Sequence, residues 1–218
     1  MGSLTDDPEF LATTFVVIDF ETTTPTGYPA QPIEVAVLAV RYQHGRWQRI
    51  GCSRSLMKPP PFAPVTPADT AQTGLTAATL EKARDPALVL GALDQRFVAD
   101  RPYLFVAQHA VTEANVVYNQ RQFCPHMARI DYVDTVLLAR QVVPGLPNYQ
   151  LNTLLSNFSI KRPPDRHRAY ADVEVTAEVF FHLVRNADRM PNFKNLAALG
   201  KLAGRTARSN IPVQANLF

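Results

Sequence analysis

The chain has 218 residues, of which 46% are hydrophobic, and this length favours one domain with a single substantial core. Its apolar runs are all shorter than a membrane-spanning helix, so the composition predicts no transmembrane segment. The net charge of +3 and the pI of about 9.0 are too modest to assign a binding partner by themselves.

Two features of the sequence predict a cytoplasmic protein. The only cysteines are Cys52 and Cys124, and they lack the paired spacing of a metal site. Such sparse cysteine usage is typical of a reducing compartment. The sequence also shows no basic and apolar leader at its N-terminus.

The C-terminal segment is purely basic. No acidic residue follows Asp188, whereas basic side chains occur at Arg189, Lys194, Lys201, Arg205 and Arg208. We therefore divide the chain into a main domain, residues 1–190, and a basic C-terminal helix and tail, residues 191–218.

The first part of the chain predicts a three-stranded meander. Segments 14–21, 32–42 and 46–57 have the apolar patterns of strands, and residues 44–46 form the turn between the last two. Residues 58–67 are rich in proline, which excludes a helix or a central strand. We predict an extended surface loop for this stretch.

The remainder of the chain predicts alternating strands and helices. Strands are predicted at 103–107 and near 129–133, and helices at 75–83, 86–98, 112–123, 135–143, 149–157, 170–187 and 193–203. Together with the meander, this order predicts an α/β fold with a mixed five-stranded sheet flanked by helices.

Two carboxylates mark the end of the first predicted strand. Asp19 and Glu21 follow the buried segment 14–18, and because strand side chains alternate, both point to the same face. Like charges placed this way repel each other unless a cation lies between them, and oxygen ligands suit Mg²⁺ or Mn²⁺. Alternatively, the pair simply marks where the strand leaves the core for solvent.

Two later stretches add to this pair. Residues 107–113, AQHAVTE, end in Glu113, and residues 167–172, HRAYAD, place His167 five positions before Asp172. Apolar side chains at helical spacing follow, so Asp172 is predicted on the first turn of a long helix. The ordered set is far more specific than any one of its members.

In this ordered set the chain resembles the DEDDh 3′–5′ exonucleases, the DnaQ-like family that includes the proofreading epsilon subunit of bacterial DNA polymerase III, RNase T and oligoribonuclease. The resemblance runs from about residue 14 to residue 184, with supporting segments at 72–83 and 130–155. It implies the RNase H-like fold. Asp134, in the last of these segments, is predicted to cap the helix that follows it.

The resemblance implies a role for each member of the set. Asp19, Glu21, Asp172 and Glu113 correspond to the ligands of two divalent cations, Mg²⁺ or Mn²⁺, about 3.5–4 Å apart. His167 corresponds to the general base that accepts a proton from the attacking water. The implied reaction removes nucleoside 5′-monophosphates from DNA 3′ ends, with single-stranded DNA as the expected substrate, in replication or repair.

One stretch departs from the family pattern. Family members carry a motif like HNAxFD where this chain has QHAVTE, so the usual aspartate is replaced by the longer Glu113 and the usual aromatic ring by Thr112. Because Mg²⁺ tolerates little geometric error, the extra length can shift a ligand, be accommodated by a water or impair catalysis. A catalytically weakened nucleic-acid-binding or clamp-associated module is therefore one alternative, and an RNA 3′-end trimming exoribonuclease is another.

The resemblance also implies substrate contacts at Phe20, Thr22, Gly74, Leu75 and His109. Gly74 and Leu75 correspond to positions that pack against the terminal base. Alternatively, Leu75 forms a hydrophobic staple at a helix start capped by Thr76. For His109, the alternatives are a substitute metal ligand and a hydrogen-bonding surface histidine.

The last five residues, QANLF, resemble the peptide by which bacterial replication and repair proteins dock into the sliding clamp. Gln214, Leu217 and Phe218 are the predicted contacts, because two large apolar side chains on a free tail need a pocket to cover them. Alternatively, the tail packs back on its own domain.

Overall fold

The computed structural model describes residues 2–98, 101–164 and 167–211. Within these ranges the chain forms a six-stranded mixed sheet in the order β3-β2-β1-β4-β5-β6. The strands are β1 (Thr14–Thr23), β2 (Gln31–Gln43), β3 (Arg46–Leu56), β4 (Tyr103–Ala107), β5 (Tyr132–Asp134) and β6 (Gly204–Arg205). The first three strands are antiparallel neighbours, β4 and β5 run parallel to β1, and β6 is antiparallel to β5. The predicted α/β mixed sheet is confirmed.

The α-helices lie on both faces of this sheet. They are α1 (Pro8–Ala12), α2 (Pro67–Thr73), α3 (Ala77–Glu81), α4 (Pro86–Asp94), α5 (Val111–Asn119), α6 (Thr135–Val142), α7 (Leu151–Asn157), α8 (Ala169–Ala187) and α9 (Leu196–Ala203). Short 3₁₀ turns occur at Leu4–Asp6, Gln95–Phe97, Met127–Arg129 and Arg208–Asn210.

Strand β1 is buried on both faces, which explains its continuous apolar sequence. Phe15 and Val17 belong to a large hydrophobic cluster with α6, α7 and α8, whereas Val16 and Ile18 belong to a second cluster with α4 and α5. The alternation therefore assigns every odd-numbered residue of this part of β1 to the face covered by α8.

The structure corrects the predicted sheet and the first helices in three places. The sheet has six strands instead of five, because the two residues of β6 pair with β5. Helix α2 begins at Pro67, where the predicted loop ends, because Thr66 and Asp69 form a capping box and proline suits the first helical turn. Helix α1 was not predicted either. It also has proline in its first turn, and the side chain of Asp7 caps it by accepting from the N–H of Phe10.

The C-terminal segment begins in contact with the main domain. Leu199 and Ala203 of α9 are fully buried in the cluster that also contains α8. The proposed boundary at residue 190 stays a prediction, and the QANLF residues 214–218 lie outside the described residues. No helix in the described ranges is both long and apolar enough to cross a membrane.

Candidate active site

The end of β1 supplies the first two carboxylates. Asp19 and Glu21 lie on the odd-numbered face, towards α8, with Asp19 partly buried and Glu21 only 7% exposed. The pairing of β1 with β2 shifts register directly after Glu21. Such irregularities bend a strand and redirect its side chains. The predicted placement of both carboxylates on one face is confirmed.

Helix α8 supplies the third carboxylate. Its apolar side chains are buried along one side, and Asp172 lies in its first turn with 7% exposure, where its backbone N–H donates to the carbonyl of Arg168 at 3.1 Å. Single carboxylate oxygens of Asp19, Glu21 and Asp172 all lie within 4.8 Å of one another. The fold therefore brings together three acidic side chains from two distant parts of the chain.

Glu113 lies beside this cluster on α5. It is 4% exposed, and burial raises the pKa of its carboxyl group to about 8, with further contributions from the charges of Asp134 and Glu21. Hydrogen bonds from the backbone of Glu113 itself and of Phe20 partly lower this pKa. Among the described residues, no group forms a hydrogen bond with its buried Oε2 atom. The fourth predicted ligand is thus next to the site but outside the three-carboxylate cluster.

His167 occupies the turn before α8 in a left-handed conformation, with φ of 67°, and its side chain is partly buried. Few non-glycine residues adopt this conformation, and they are concentrated at functional sites. The predicted position, on the turn that enters the helix carrying Asp172, is confirmed. Its role as a base stays a prediction.

The stretch before Glu113 has local structural roles. Gln108 donates to the carbonyl of Tyr149 at 2.8 Å and accepts a hydrogen bond from Thr135. His109 also has a positive φ, of 65°, is exposed, and places its Nδ1 3.3 Å from the hydroxyl of Thr112. This contact is the surface hydrogen bond considered above as an alternative, and its contact with substrate stays a prediction.

The turn that contains Gly74 and Leu75 joins two short helices. Gly74 ends α2 with φ of 71°, which favours glycine, and the hydroxyl of Thr76 caps α3 by accepting from the N–H of Thr79. Leu75 is 1% exposed and packs with Leu80 in a small cluster. The staple arrangement is therefore present, and the predicted contacts of these two residues with a terminal base stay predictions.

The remaining predicted site residues are also located. Phe20 is 7% exposed in the second hydrophobic cluster, on the face of β1 opposite Asp19, and Thr22 is partly buried after the register shift. Asp134 caps α6, since its Oδ1 accepts from the N–H groups of Val136 and Leu137. The predicted capping role is confirmed.

Two charged residues next to the cluster were not identified from the sequence. Glu34 is 3% exposed in β2, and the guanidinium of Arg168 binds its two oxygens at 3.0 and 2.9 Å. The available signal was a lone carboxylate inside the apolar run 33–40, because a charge in a buried strand needs a partner.

Residues 16–180 match the RNase T family model, which is described as an exonuclease. The chain belongs to this exonuclease family. The resemblance to its DEDDh members is confirmed, and the carboxylate cluster contains three of the four residues that the resemblance assigned as metal ligands, without Glu113. Exonucleases of this type use divalent metal ions, with which an all-oxygen site agrees.

A DNA polymerase III of the PolC type from Thermotoga maritima is 31% identical to the chain over 187 residues. The match covers 84% of this chain but 13% of the polymerase, so the chain spans a small fraction of that relative's length.

Two solved structures show the same fold. Exonuclease X in complex with 5′-overhanging duplex DNA gives a TM-score of 0.60 at 20% identity, covering 85% of this chain and 99% of the other. A 3′-exonuclease, in a structure of 3′-end-specific recognition of a histone mRNA stem-loop, gives 0.68 at 14% identity, covering 92% and 93%.

Proposed function

We propose that the chain is a metal-dependent 3′–5′ exonuclease that removes nucleoside 5′-monophosphates from DNA 3′ ends. The observation that carries this proposal is the convergence of Asp19, Glu21 and Asp172 within 4.8 Å in a chain of the exonuclease family. A buried cluster of like charges is costly by itself, and a bound cation offsets that cost.

The residues present fit two divalent cations, Mg²⁺ or Mn²⁺. Asp19, Glu21 and Asp172 would hold them, with Glu113 as the fourth ligand, and the buried Oε2 of Glu113 is a ligand atom with no hydrogen-bond partner among the described residues. When bound, such ions activate water and stabilise the charge that develops on the phosphate.

His167 would act as the general base. It lies on the turn before α8, five residues from Asp172, and an imidazole accepts a proton readily near neutral pH. It would take one proton from the attacking water as the new P–O bond forms and the bond to the preceding 3′-oxygen breaks. That 3′-oxygen leaves as a hydroxyl after protonation from solvent.

DNA is the proposed substrate because the matched relative is a DNA polymerase, and the match covers 84% of this chain. We place this activity in DNA replication or repair in the cytoplasm. We propose that Phe20, Thr22, Gly74, Leu75 and His109 contact the terminal nucleotide, since they lie on β1, the 73–76 turn and the segment before Glu113.

A catalytically weakened binding module is the second candidate. The observation that favours it is the position of Glu113, which replaces the family's usual aspartate and lies outside the cluster formed by Asp19, Glu21 and Asp172. Burial of Glu113 also raises the pKa of its carboxyl group, which disfavours the ionised form that binds metal. The same fold would then hold nucleic acid without cleaving it efficiently.

The test is an end-labelling assay with purified protein and Mg²⁺ or Mn²⁺. On 5′-labelled single-stranded DNA we expect a ladder of progressively shorter products, and on 3′-labelled DNA the immediate release of a labelled mononucleotide. The same RNA sequence, run in parallel, measures sugar preference. Binding without cleavage would favour the weakened module, and faster cleavage of RNA would favour the exoribonuclease.

A matched pair of variants excludes a contaminating nuclease from this assay. Asp172→Asn removes a charge from the cluster, whereas Glu174→Gln makes the same change two residues away, where Glu174 is partly exposed and paired with Arg49. We expect the first variant to lose cleavage and the second to retain it. Equal activity in both would reject the proposed site.

We propose separately that Gln214, Leu217 and Phe218 dock into a bacterial sliding clamp. The support is the QANLF pattern and the replicative relative. Deleting residues 214–218 should abolish clamp binding in surface plasmon resonance while hydrolysis of short oligonucleotides is unchanged. Equal clamp binding by the full-length and shortened chains would contradict this docking.

A further inference from the structure

Glu34 lies directly beside the carboxylate cluster. It is the residue of β2 that pairs with Glu21 across the antiparallel strands, so both side chains lie on the same face of the sheet. Its side chain is 4% exposed. The sheet therefore carries a further buried carboxylate next to the proposed metal ligands.

Glu34 is held by the start of α8. Its Oε2 accepts from Nε of Arg168 at 3.0 Å and from the backbone N–H of Ala169 at 3.2 Å, and its Oε1 accepts from a terminal guanidinium nitrogen of Arg168 at 2.9 Å. Paired hydrogen bonds between a guanidinium and a carboxylate fix direction as well as distance. In addition, Glu34 satisfies one of the backbone donors that the beginning of a helix leaves open.

These contacts tie the sheet part of the site to its helix part. Arg168 accepts the N–H of Asp172 at its own carbonyl, and His167 precedes it in the chain. Moving Arg168 relative to β2 would therefore move both Asp172 and His167 relative to Glu21. The contact spans 134 positions in the sequence and joins β2, the strand paired with β1, to the start of α8, which supplies Asp172.

The pair also controls the charge next to the cluster. The three-carboxylate group contains Asp19, Glu21 and Asp172 but not Glu34, whose two oxygens face Arg168. Without Arg168, Glu34 would add a negative charge beside Glu21. Without Glu34, a guanidinium would lie beside Glu21 with no bidentate partner on β2 and would compete with a metal ion for the cluster.

We propose that Glu34 and Arg168 are a positioning pair that sets the distance between the β1 carboxylates and Asp172 and keeps the cluster available to divalent metal. This inference rests on the proposed function and adds two residues to it. Residues that orient metal ligands typically affect metal affinity or activity by about 10- to 100-fold when they are replaced.

The test uses Mn²⁺ alone, measured by titration calorimetry and by electron paramagnetic resonance of the bound ion. Arg168→Lys keeps the charge but loses the two-point contact, and Glu34→Gln keeps an acceptor for Ala169 but loses the charge. We expect each variant to weaken Mn²⁺ binding by about tenfold or more, with a lower kcat and little change in KM.

The matched control is Arg49→Lys. Arg49 also joins the sheet to α8, through an exposed 2.9 Å ion pair with Glu174. Exposed pairs contribute little, so this variant should bind Mn²⁺ as the natural protein does. If Arg49→Lys weakened Mn²⁺ binding as much as Arg168→Lys, the effect would be general attachment of α8 and the proposal would be overturned.

A double variant tests whether the two residues act as a pair. Arg168→Gln is measured alone and combined with Glu34→Gln. The combination removes both charges of the pair, so we expect it to recover part of the Mn²⁺ affinity that Glu34→Gln loses. If the loss in the double variant equalled the product of the losses in Glu34→Gln and Arg168→Gln, or if both single variants bound Mn²⁺ with the natural affinity, the proposal would be overturned. Because Mn²⁺ binding is measured without nucleic acid, failure of the exonuclease activity itself would leave this result unchanged.

Discussion

Helices α8 and α5 each place a carboxylate in their first turn beside β1, yet the two positions differ. Asp172 on α8 joins Asp19 and Glu21 in a cluster of ligand atoms, and the helix start is held to β2 through Arg168. Glu113 on α5 lies outside that cluster, and the segment before its helix is held elsewhere, by the contact of Gln108 with the carbonyl of Tyr149. An acidic residue in the first turn of a helix beside β1 is therefore not enough to place a carboxylate in the cluster. The contacts that hold the start of the helix decide where the carboxylate oxygen lies.

The largest expected effect is on exonuclease turnover, and it differs between variants at Asp172 and at Glu113. Asp172→Ala, like Asp19→Ala and Glu21→Ala, should lower exonuclease turnover by roughly a thousandfold or more, because a metal cluster works as a unit. Glu113→Ala should cost less, since Glu113 lies outside the cluster. Turnover measured with both Mg²⁺ and Mn²⁺ checks this order. An equal loss for all four variants would show that Glu113 belongs to the same unit.

Replacing His167 should affect turnover without removing metal. We expect His167→Ala to lower kcat by about 100- to 10,000-fold, the usual contribution of a general base, while calorimetric Mn²⁺ binding changes little. His44→Ala is the matched control, because His44 also has a positive φ, of 51°, but lies in the exposed turn between β2 and β3. Loss of Mn²⁺ affinity comparable to that of Asp172→Ala would identify His167 as a ligand instead.

The choice of metal ion tests the longer side chain of Glu113. Since Mn²⁺ accepts looser geometry than Mg²⁺, we expect activity with Mn²⁺ to exceed that with Mg²⁺ by roughly tenfold. Glu113→Asp should bring the activity with Mg²⁺ closer to the activity with Mn²⁺. Near-inactivity with both ions would instead favour the catalytically weakened module. High activity that is equal with the two ions and unchanged in Glu113→Ala would contradict both the ligand role of Glu113 and the weakened module.

The smallest expected effect is on the stability of the metal-free protein. Glu113 has a pKa raised from 4.5 to about 8 in the folded chain, so between these values unfolding releases a proton. Its contribution is therefore fully present below about pH 4.5 and is lost as the pH rises through 8. We expect the unfolding free energy of the natural protein to fall by roughly 3–5 kcal/mol across this window, and that of Glu113→Gln to lack this decrease.

Urea denaturation at a series of pH values, in the presence of a chelator, measures how the free energy of unfolding changes with pH. Glu174→Gln is the control, because Glu174 is partly exposed and paired with Arg49. If the natural protein and Glu113→Gln lose stability in parallel as the pH rises, the carboxyl group of Glu113 is already ionised in the folded state.

The sequence predicted the placement of Asp19, Glu21 and Asp172 correctly, because the signal for each was local. The alternation of β1 placed Asp19 and Glu21 on one face, and the apolar spacing after Asp172 placed it in the first turn of a long helix. The capping box of Thr66 and Asp69 was equally local, and α2 was missed although its signal was present.

What the sequence did not predict depends on tertiary distance. Arg168 and Glu34 are 134 positions apart, and no periodicity or motif connects them. The offset of Glu113 from the cluster likewise follows from the way α5 packs against β1. The two-residue strand β6 forms only because α9 returns the chain to the edge of β5. In each case the structure of one segment depends on its contact with a segment that is distant in the sequence.

The left-handed backbone at His167 has a consequence for evolution and for engineering. A side chain at φ of 67° is held there by the surrounding structure, and glycine would relieve a strain on the order of 1–2 kcal/mol. Selection for thermal stability alone would therefore favour His167→Gly, and selection for turnover would oppose it. A screen for thermal stability at position 167 should therefore return variants with a higher free energy of unfolding and a lower exonuclease turnover.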